Sequence, residues 1–267
     1  MSDFSELVAI VTGGTGAIGL AAAELLTSRG AQVAVLARHP DGLPEGILGI
    51  KADVTDDASV RSAVDSVVGR FGQLDVVVNN VGIPTSGDVA ANSDDEWARV
   101  LDVNVVGMVR VARHALPHLR RSSAAAVVNV GSVVGWAGMQ QRALYSATKG
   151  AVHALTLAMA ADYVREGIRV NCVAPGATDT PWVDKQLEKA ADPATARVEY
   201  IAFQPAGRLL STAEVAGAIA YLASPLSGDT TGTLLAVDGA SYGVRLRPPT
   251  GAEAAARGGQ PAATIRT

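Results

Sequence analysis

Tyr145 and Lys149 stand four residues apart in Tyr145-Ser146-Ala147-Thr148-Lys149. At the start of a helical pattern, that spacing projects both side chains from one face. A free tyrosine, with a pKa of about 10, is a poor base near neutrality. An ammonium beside it stabilises the phenolate and lowers that pKa, which suits the phenol to proton transfer at an alcohol or carbonyl. Ser132, just after the apolar run ending at Val130, can hydrogen-bond a substrate oxygen. Asn104, in Asp102-Val103-Asn104-Val105, can hold a water that relays protons from Lys149. Taken singly, each has a plainer reading. A helical tyrosine is usually packing, Ser132 a turn residue, and Asn104 a satisfied polar group inside a helix. Their order and placement behind a phosphate loop carry the signal.

That loop is Thr12-Gly13-Gly14-Thr15-Gly16-Ala17-Ile18-Gly19, set between a β-branched run and an amphipathic stretch. A dinucleotide pyrophosphate needs a tight turn, close backbone approach and the free N–H groups of a helix N-terminus. Gly13, Gly16 and Gly19 supply the first two because they lack Cβ, and Thr15 and Ile18 lie in the same cradle. A Gly-rich turn without a ligand is the plain alternative, and the strand–turn–helix setting weighs against it. At the end of the second β-run, Ala37-Arg38 stands where a NAD site would place a carboxylate for the ribose diol. No carboxylate is there to repel a 2′-phosphate, and Arg38 can make charge-assisted bonds to one. The expected cofactor is therefore NADP(H), with NAD possible; a solvated loop arginine is the competing reading. Asp53 is placed to accept a hydrogen bond from an adenine amino group, or to cap the helix near Ala58, a role Asp56 suits better.

The elements that must position these residues follow from periodicity. Expected strands are Leu7–Thr12, Gln32–Ala37, Ile47–Ala52, Asp75–Asn79, Ala126–Val130, Arg169–Val173 and Thr233–Val237. Most are continuous apolar runs, as in strands buried on both faces. Helical patterns cover Ile18–Ser28, Ala58–Phe71, Asp94–Leu119, Ala143–Glu166 and Thr212–Ala223. This alternation predicts an α/β fold: a single doubly wound parallel sheet with helices on both faces and ligands beyond the strands' carboxyl ends. His39–Gly46, with two prolines and two glycines, cannot be a regular helix, so an extended loop replaces the second crossover helix. Residues 1–244 read as the cofactor-binding and catalytic domain, and Arg245–Thr267 as a flexible tail.

Composition excludes several classes. Of the 267 residues, 48 % are hydrophobic and 18 % charged, enough for a substantial core. A net charge of −4 argues against nucleic-acid binding. Cys172 is the single cysteine, which excludes an intrachain disulfide and a Cys-cluster metal site, and no metal is expected. Asp3 and Glu6 stand where a secretory leader would be basic, and no stretch is long enough to span a bilayer, so a cytoplasmic location is expected.

From about Leu7 to Tyr242 the chain resembles the short-chain dehydrogenase/reductase family. The resemblance is carried by Thr12-Gly13 through Gly19, Asp53-Val54, Asn79-Asn80-Val81-Gly82, Asn104, Ser132, Tyr145 with Lys149, Pro175-Gly176 with Thr180, and Val237-Asp238-Gly239. It implies a Rossmann-type fold and a catalytic tetrad of Asn104, Ser132, Tyr145 and Lys149. It implies further that Val54 flanks the adenine, and that Asn80 and Gly82 line the adenine side and support the central strand. Lys149 would hold the nicotinamide ribose, with Tyr145 beside the ring. Thr180, following Pro175-Gly176, would bond the carboxamide. Ala17, Val81 and Ala240 depart from the family's usual glycine, alanine and glycine. The spacing Gly13-x-x-Gly16-x-x-Gly19 matches the family's extended epimerase and dehydratase branch, while everything downstream favours the shorter oxidoreductase branch.

The resemblance thus implies hydride transfer between a nicotinamide cofactor and a secondary alcohol or carbonyl. Asp179-Thr180-Pro181-Trp182 and Gln204-Pro205-Ala206-Gly207-Arg208-Leu209 resemble dehydrogenases of sugars such as L-fucose, and of hydroxysteroids. A 3-oxoacyl-acyl-carrier-protein reductase is the alternative, and an NADP-sensing protein or a sugar-nucleotide epimerase the rivals of another class. Trp182 would form an aromatic platform in a lid, Trp136 and Arg142 would border the pocket, and Arg208 with Glu214 would form a structural ion pair. The small residues of Ala143–Val164 are consistent with close helix packing in a homotetramer.

Overall fold

A computed structural model describes residues 2–247. Residues 248–267, most of the expected tail, lie outside the described residues. Seven parallel strands form one sheet in the order β3-β2-β1-β4-β5-β6-β7. They are β1 (Val8–Thr12), β2 (Gln32–Ala37), β3 (Ile47–Lys51), β4 (Val76–Asn79), β5 (Ala126–Val130), β6 (Arg169–Pro175) and β7 (Leu234–Val237). β1, β4 and β5 are buried along their whole length, the physical reason their sequences do not alternate.

Side-chain alternation along each strand divides the core in two. Val8 and Ile10 face α2 (Asp57–Phe71), α4 (Gly107–Leu119) and α5 (Ala143–Tyr163). Ala9 and Val11 face α1 (Ala17–Ser28) and α8 (Thr212–Ala223). The strand order reverses beside β1, whose neighbours are β2 and β4, so the crevice above these carboxyl ends is the topological switch point. As expected, no helix links β2 to β3.

The pattern read as one helix over Asp94–Leu119 is three segments. α3 (Asp94–Leu101) gives way to a π-helical turn over Asp102–Val106, where the Gly107 N–H reaches back to the Asp102 carbonyl, and α4 follows. β6 runs on to Pro175, two residues past the expected strand. Two further helices, α6 (Pro181–Leu187) and α7 (Pro193–Ala202), occupy a stretch in which periodicity marked no helix. Both start with proline in the first turn, and Asp192 caps α7. Asp56, not Asp53, caps α2, accepting from the Ala58 and Ser59 N–H groups at 2.9 and 3.3 Å. Among the described residues no helix is long and apolar enough to cross a membrane.

Candidate active site

Four elements bring the chemistry-bearing residues together at the carboxyl end of β5. Ser132 lies two residues past that strand, buried, with its hydroxyl 3.4 Å from the Pro175 carbonyl at the end of β6. Lys149 comes in from α5 and donates from Nζ to the Val130 carbonyl at 2.9 Å. The same Nζ lies 5.6 Å from the centroid of the Tyr145 ring, one turn earlier on that helix. Asn104, fully buried in the π turn, donates to the Thr148 hydroxyl at 3.1 Å and to the Ile83 carbonyl at 3.0 Å, and accepts from the Ile83 N–H at 2.8 Å. A Cβ added at Gly82 would lie 3.5 Å from Lys149 Nζ and 3.6 Å from Asn104 Oδ1, so the loop after β4 borders the same space.

The electrostatics differ from the expectation that Lys149 makes Tyr145 acidic. Burial pushes the Tyr145 phenol up to about 12, opposed by the Arg142 guanidinium, and burial pushes the Lys149 ammonium down to about 8. Desolvation therefore outweighs the Arg142 charge at the phenol, and in the protein alone Tyr145 stays protonated at neutral pH.

The glycine cradle fits a diphosphate. Gly13 is left-handed (φ 66), and a Cβ on Gly19 would come within 2.5 Å of the Gly13 carbonyl and 2.6 Å of Asn80 Nδ2. Gly16 and Thr15 are exposed, and α1 begins at Ala17, followed by Ile18, without any side-chain cap, so its N-terminus is open to an anion. Asn80 braces the turn, donating to the Thr12 and Gly13 carbonyls at 3.1 and 3.2 Å. At the far end of the crevice Arg38 is exposed, and its charge helps hold the Asp53 carboxyl below its usual range, after the stronger effect of hydrogen bonds from Thr55. Val54 is buried, and its Cγ2 would meet a Cβ on Gly107 at 2.9 Å. Beyond β6, Gly176 packs on Asp238, where a Cβ would lie 2.8 Å from the Asp238 Cα. Thr180 is the N-cap residue just before α6, and its hydroxyl makes no capping bond. These residues together offer a dinucleotide a backbone cradle, a cation at one end and hydroxyl groups at the other.

Some residues that hold the site were not foreseen. Asn79, Asn129 and Thr156 form a buried chain, Asn79 Nδ2 to Asn129 Oδ1 at 2.9 Å and Asn129 Nδ2 to Thr156 Oγ1 at 3.0 Å, which ties α5 to the sheet. Thr148 ties the helix to the π turn. Thr148 and Thr156 carry a readable signal, lying on the same stripe of α5 as Tyr145 and Lys149, whereas Asn79 and Asn129 lie at the carboxyl ends of apolar strands and carry none. His153 lies one turn past Lys149, 5 % exposed, with no hydrogen bond at either ring nitrogen. Its ring centroid lies 4.5 Å from that of Trp136, which in turn lies 4.9 Å from Tyr242. Arg197 on α7 donates to Asp184 of α6 at 2.6 Å and to Asp179 at 2.9 Å. Arg208 pairs with Glu214 at 2.6 Å, as expected.

A parallel sheet wound on both faces, with a glycine cradle at its switch point and a Tyr–Lys pair at the carboxyl ends, defines a nucleotide-crevice α/β protein. Residues 14–240 match the family described as Enoyl-(Acyl carrier protein) reductase. The chain is 41 % identical over 251 residues to the cis-4-hydroxycyclohexanecarboxylate dehydrogenase of Sinomonas cyclohexanicum, covering 88 % of this chain and 96 % of that one. It is 38 % identical over 250 residues to the L-fucose dehydrogenase of Mus musculus, covering 91 % of each. The ligand-free structure of Thermoplasma acidophilum aldohexose dehydrogenase superposes with a TM-score of 0.87 at 34 % identity, over 93 % of this chain and 99 % of that one. The chain belongs to the short-chain dehydrogenase/reductase family, and it is an oxidoreductase acting on alcohol or carbonyl groups.

Proposed function

We propose that the protein interconverts a secondary ring alcohol and its ketone, with NADP(H) preferred over NAD(H). The observation that carries this is the meeting of Tyr145, Lys149, Ser132 and Asn104 at the end of β5, with Lys149 Nζ 5.6 Å from the Tyr145 ring. Similarity to enzymes named for a hydroxylated cyclohexane and for sugars supports a ring substrate. A bound nicotinamide would supply the hydride acceptor or donor.

In the carbonyl-reducing direction Tyr145, protonated at neutral pH, gives its proton to the substrate oxygen. The Ser132 hydroxyl donates a hydrogen bond to the same oxygen as negative charge develops there. In the oxidising direction Tyr145 first loses its own proton to solvent, the ammonium of Lys149 stabilises the phenolate, and the phenolate then takes the hydroxyl proton of the substrate. Asn104 fixes the loop after β4 through both directions of its bond pair with Ile83, and it holds the start of α5 through Thr148, so Tyr145 and Lys149 keep their spacing. Gly13, Thr15, Gly16, Ile18 and Gly19 would hold the pyrophosphate, and Arg38 a 2′-phosphate. Asp53 and Val54 would shape the adenosine side, Asn80 would brace the phosphate turn, Gly82 would border the reacting centre beside Lys149 rather than the adenine side the resemblance implied, and Pro175, Gly176 and Thr180 would line the nicotinamide end. Leu157 and Val164, about half-exposed on and just beyond α5, suit this helix to an interface in the proposed homotetramer, which light scattering would test.

Initial rates on cis-4-hydroxycyclohexanecarboxylate, L-fucose and a 3-oxoacyl thioester, each with NAD and NADP, test the reading. Turnover of a ring alcohol that Tyr145→Phe abolishes in a folded protein is the expected result, and wild-type turnover by that variant refutes the proton-transfer role. Arg38→Asp is expected to weaken NADPH binding far more than NADH binding; an equal effect on both overturns the NADP assignment.

A further inference from the structure

We propose that Arg142 determines specificity by receiving a carboxylate on the substrate, so that this protein acts on a hydroxy acid in preference to a neutral sugar. The inference rests on the alcohol-oxidising reading above and names the substrate class of that same site.

Arg142 is the N-terminal cap residue of α5, three residues before Tyr145, and makes no side-chain capping bond. Ser, Thr, Asp and Asn favour that position, and a cation there meets the positive end of the helix dipole. Gln141 before it has φ 57, in the left-handed region that disfavours a side chain with Cβ. Two local rules are thus broken in adjacent residues, at the entrance to the site, and such violations concentrate where function requires them. The backbone there is held rigidly. The Gly87 N–H donates to the Gln141 carbonyl at 3.0 Å, and the Ala143 N–H to the Gly87 carbonyl at 3.2 Å.

The side chain is held just as firmly, yet only on one side. Nη1 donates to the Thr85 carbonyl at 3.0 Å and to the Ser86 hydroxyl at 2.8 Å. Nε and Nη2 have no hydrogen-bond partner among the described residues. Neither does Arg142 take part in an ion pair among them, whereas Arg197 on α7 holds two aspartates. Its Cζ lies 5.7 Å from the Trp182 ring centroid on α6. Its charge also pulls down on the phenols of Tyr145 and of Tyr200 on α7. The guanidinium therefore lies against Trp182 of α6, three residues before the catalytic tyrosine on the chain, with half of its donor fork unused. A carboxylate matches that fork with two parallel hydrogen bonds. A neutral sugar would leave Nε and Nη2 without a charged partner. Bracing the loop at Thr85 and Ser86 alone would need only a neutral donor such as glutamine.

The test compares wild type, Arg142→Gln and Arg142→Lys. Rates are measured on cis-4-hydroxycyclohexanecarboxylate and on 4-methylcyclohexanol, a neutral alcohol of similar shape. Binding of cyclohexanecarboxylate and cyclohexanecarboxamide, neither of which can be oxidised at a hydroxyl, is measured by calorimetry with NADP present. Wild type is expected to prefer the carboxylate in both assays. Arg142→Gln is expected to cut that preference by about 10- to 100-fold, the worth of hydrogen bonds to a charged group, with partial recovery in Arg142→Lys. An equal response of charged and neutral compounds in wild type, or an undiminished preference in Arg142→Gln, overturns the assignment. Turnover without a carboxylate preference removes this inference and leaves the dehydrogenase reading standing. A carboxylate preference lost in Arg142→Gln, with no alcohol oxidised by wild type, removes the dehydrogenase reading and the hydroxy-acid substrate with it, and leaves Arg142 as a carboxylate-binding residue only. Unchanged near-ultraviolet circular dichroism separates both cases from misfolding.

Discussion

Replacing His153 with leucine should remove much of the acid sensitivity of the fold. The imidazole is 5 % exposed, neither nitrogen is hydrogen-bonded, and Lys149 lies one turn away. Burial first, and the Lys149 charge second, push its pKa from 6.5 down to about 4. The native chain therefore refuses a proton that the unfolded chain accepts anywhere between these values. Stability linked to His153 is present in full above pH 6.5 and is lost as the pH falls toward about 4. Each unit is worth about 1.4 kcal/mol, so the loss reaches about 2 kcal/mol at about pH 5 and about 3 kcal/mol at about pH 4. Leucine strands no hydrogen-bond partner, so near pH 7.5 the His153→Leu variant should differ from wild type only through packing, by about 1 kcal/mol. Urea denaturation of both proteins at about pH 7.5 and about pH 5 gives the four free energies needed. His118, whose pKa burial also lowers, titrates in both proteins and cancels in the comparison. Parallel pH slopes for the two proteins would show that the imidazole is not buried and neutral as described.

Lys149→Met should abolish turnover yet raise the melting temperature near neutral pH, because the buried ammonium is held down at about 8. In wild type the folded chain sheds that proton before the unfolded chain does, so stability rises with pH from about 8 toward 10.5; melts across this window should show the rise in wild type and not in the variant. Ala240→Gly should stabilise the protein by about 0.5–1 kcal/mol, since Ala240 has φ 73, and denaturation midpoints would check it.

Much of this architecture was legible because buried parallel strands leave long apolar runs, and loops such as His39–Gly46 carry their own breakers. Ala240 shows a finer case. The family's usual glycine there marks a left-handed turn, where the Ala240 N–H donates to the Asp238 carboxylate at 3.0 Å, and nothing in the residue itself reveals that backbone angle. α6 and α7 escaped periodicity because each is short and exposes most of its surface, although Thr180-Pro181 and Asp192-Pro193 are start signals that spacing alone passes over. The split of Asp94–Leu119 was hidden because a π turn adds one residue without altering the apolar composition. The Tyr145–Lys149 pair was found by spacing, but its electrostatics were misjudged. How far burial outweighs attraction depends on packing that residue types do not encode.

The π turn also has a mechanical consequence. An extra residue in a helix rotates everything beyond it by about 100° relative to what came before. Asp102–Val106 thus acts as a coupling between two shafts that are each correctly oriented for their own neighbours: α3 toward the loop at Thr85, where Glu96 accepts the threonine hydroxyl at 2.9 Å, and α4 toward the sheet. Deleting one residue there would restore an uninterrupted helix while turning one shaft out of alignment with its bearing, so a change that improves the local backbone would disconnect Asn104 from Thr148.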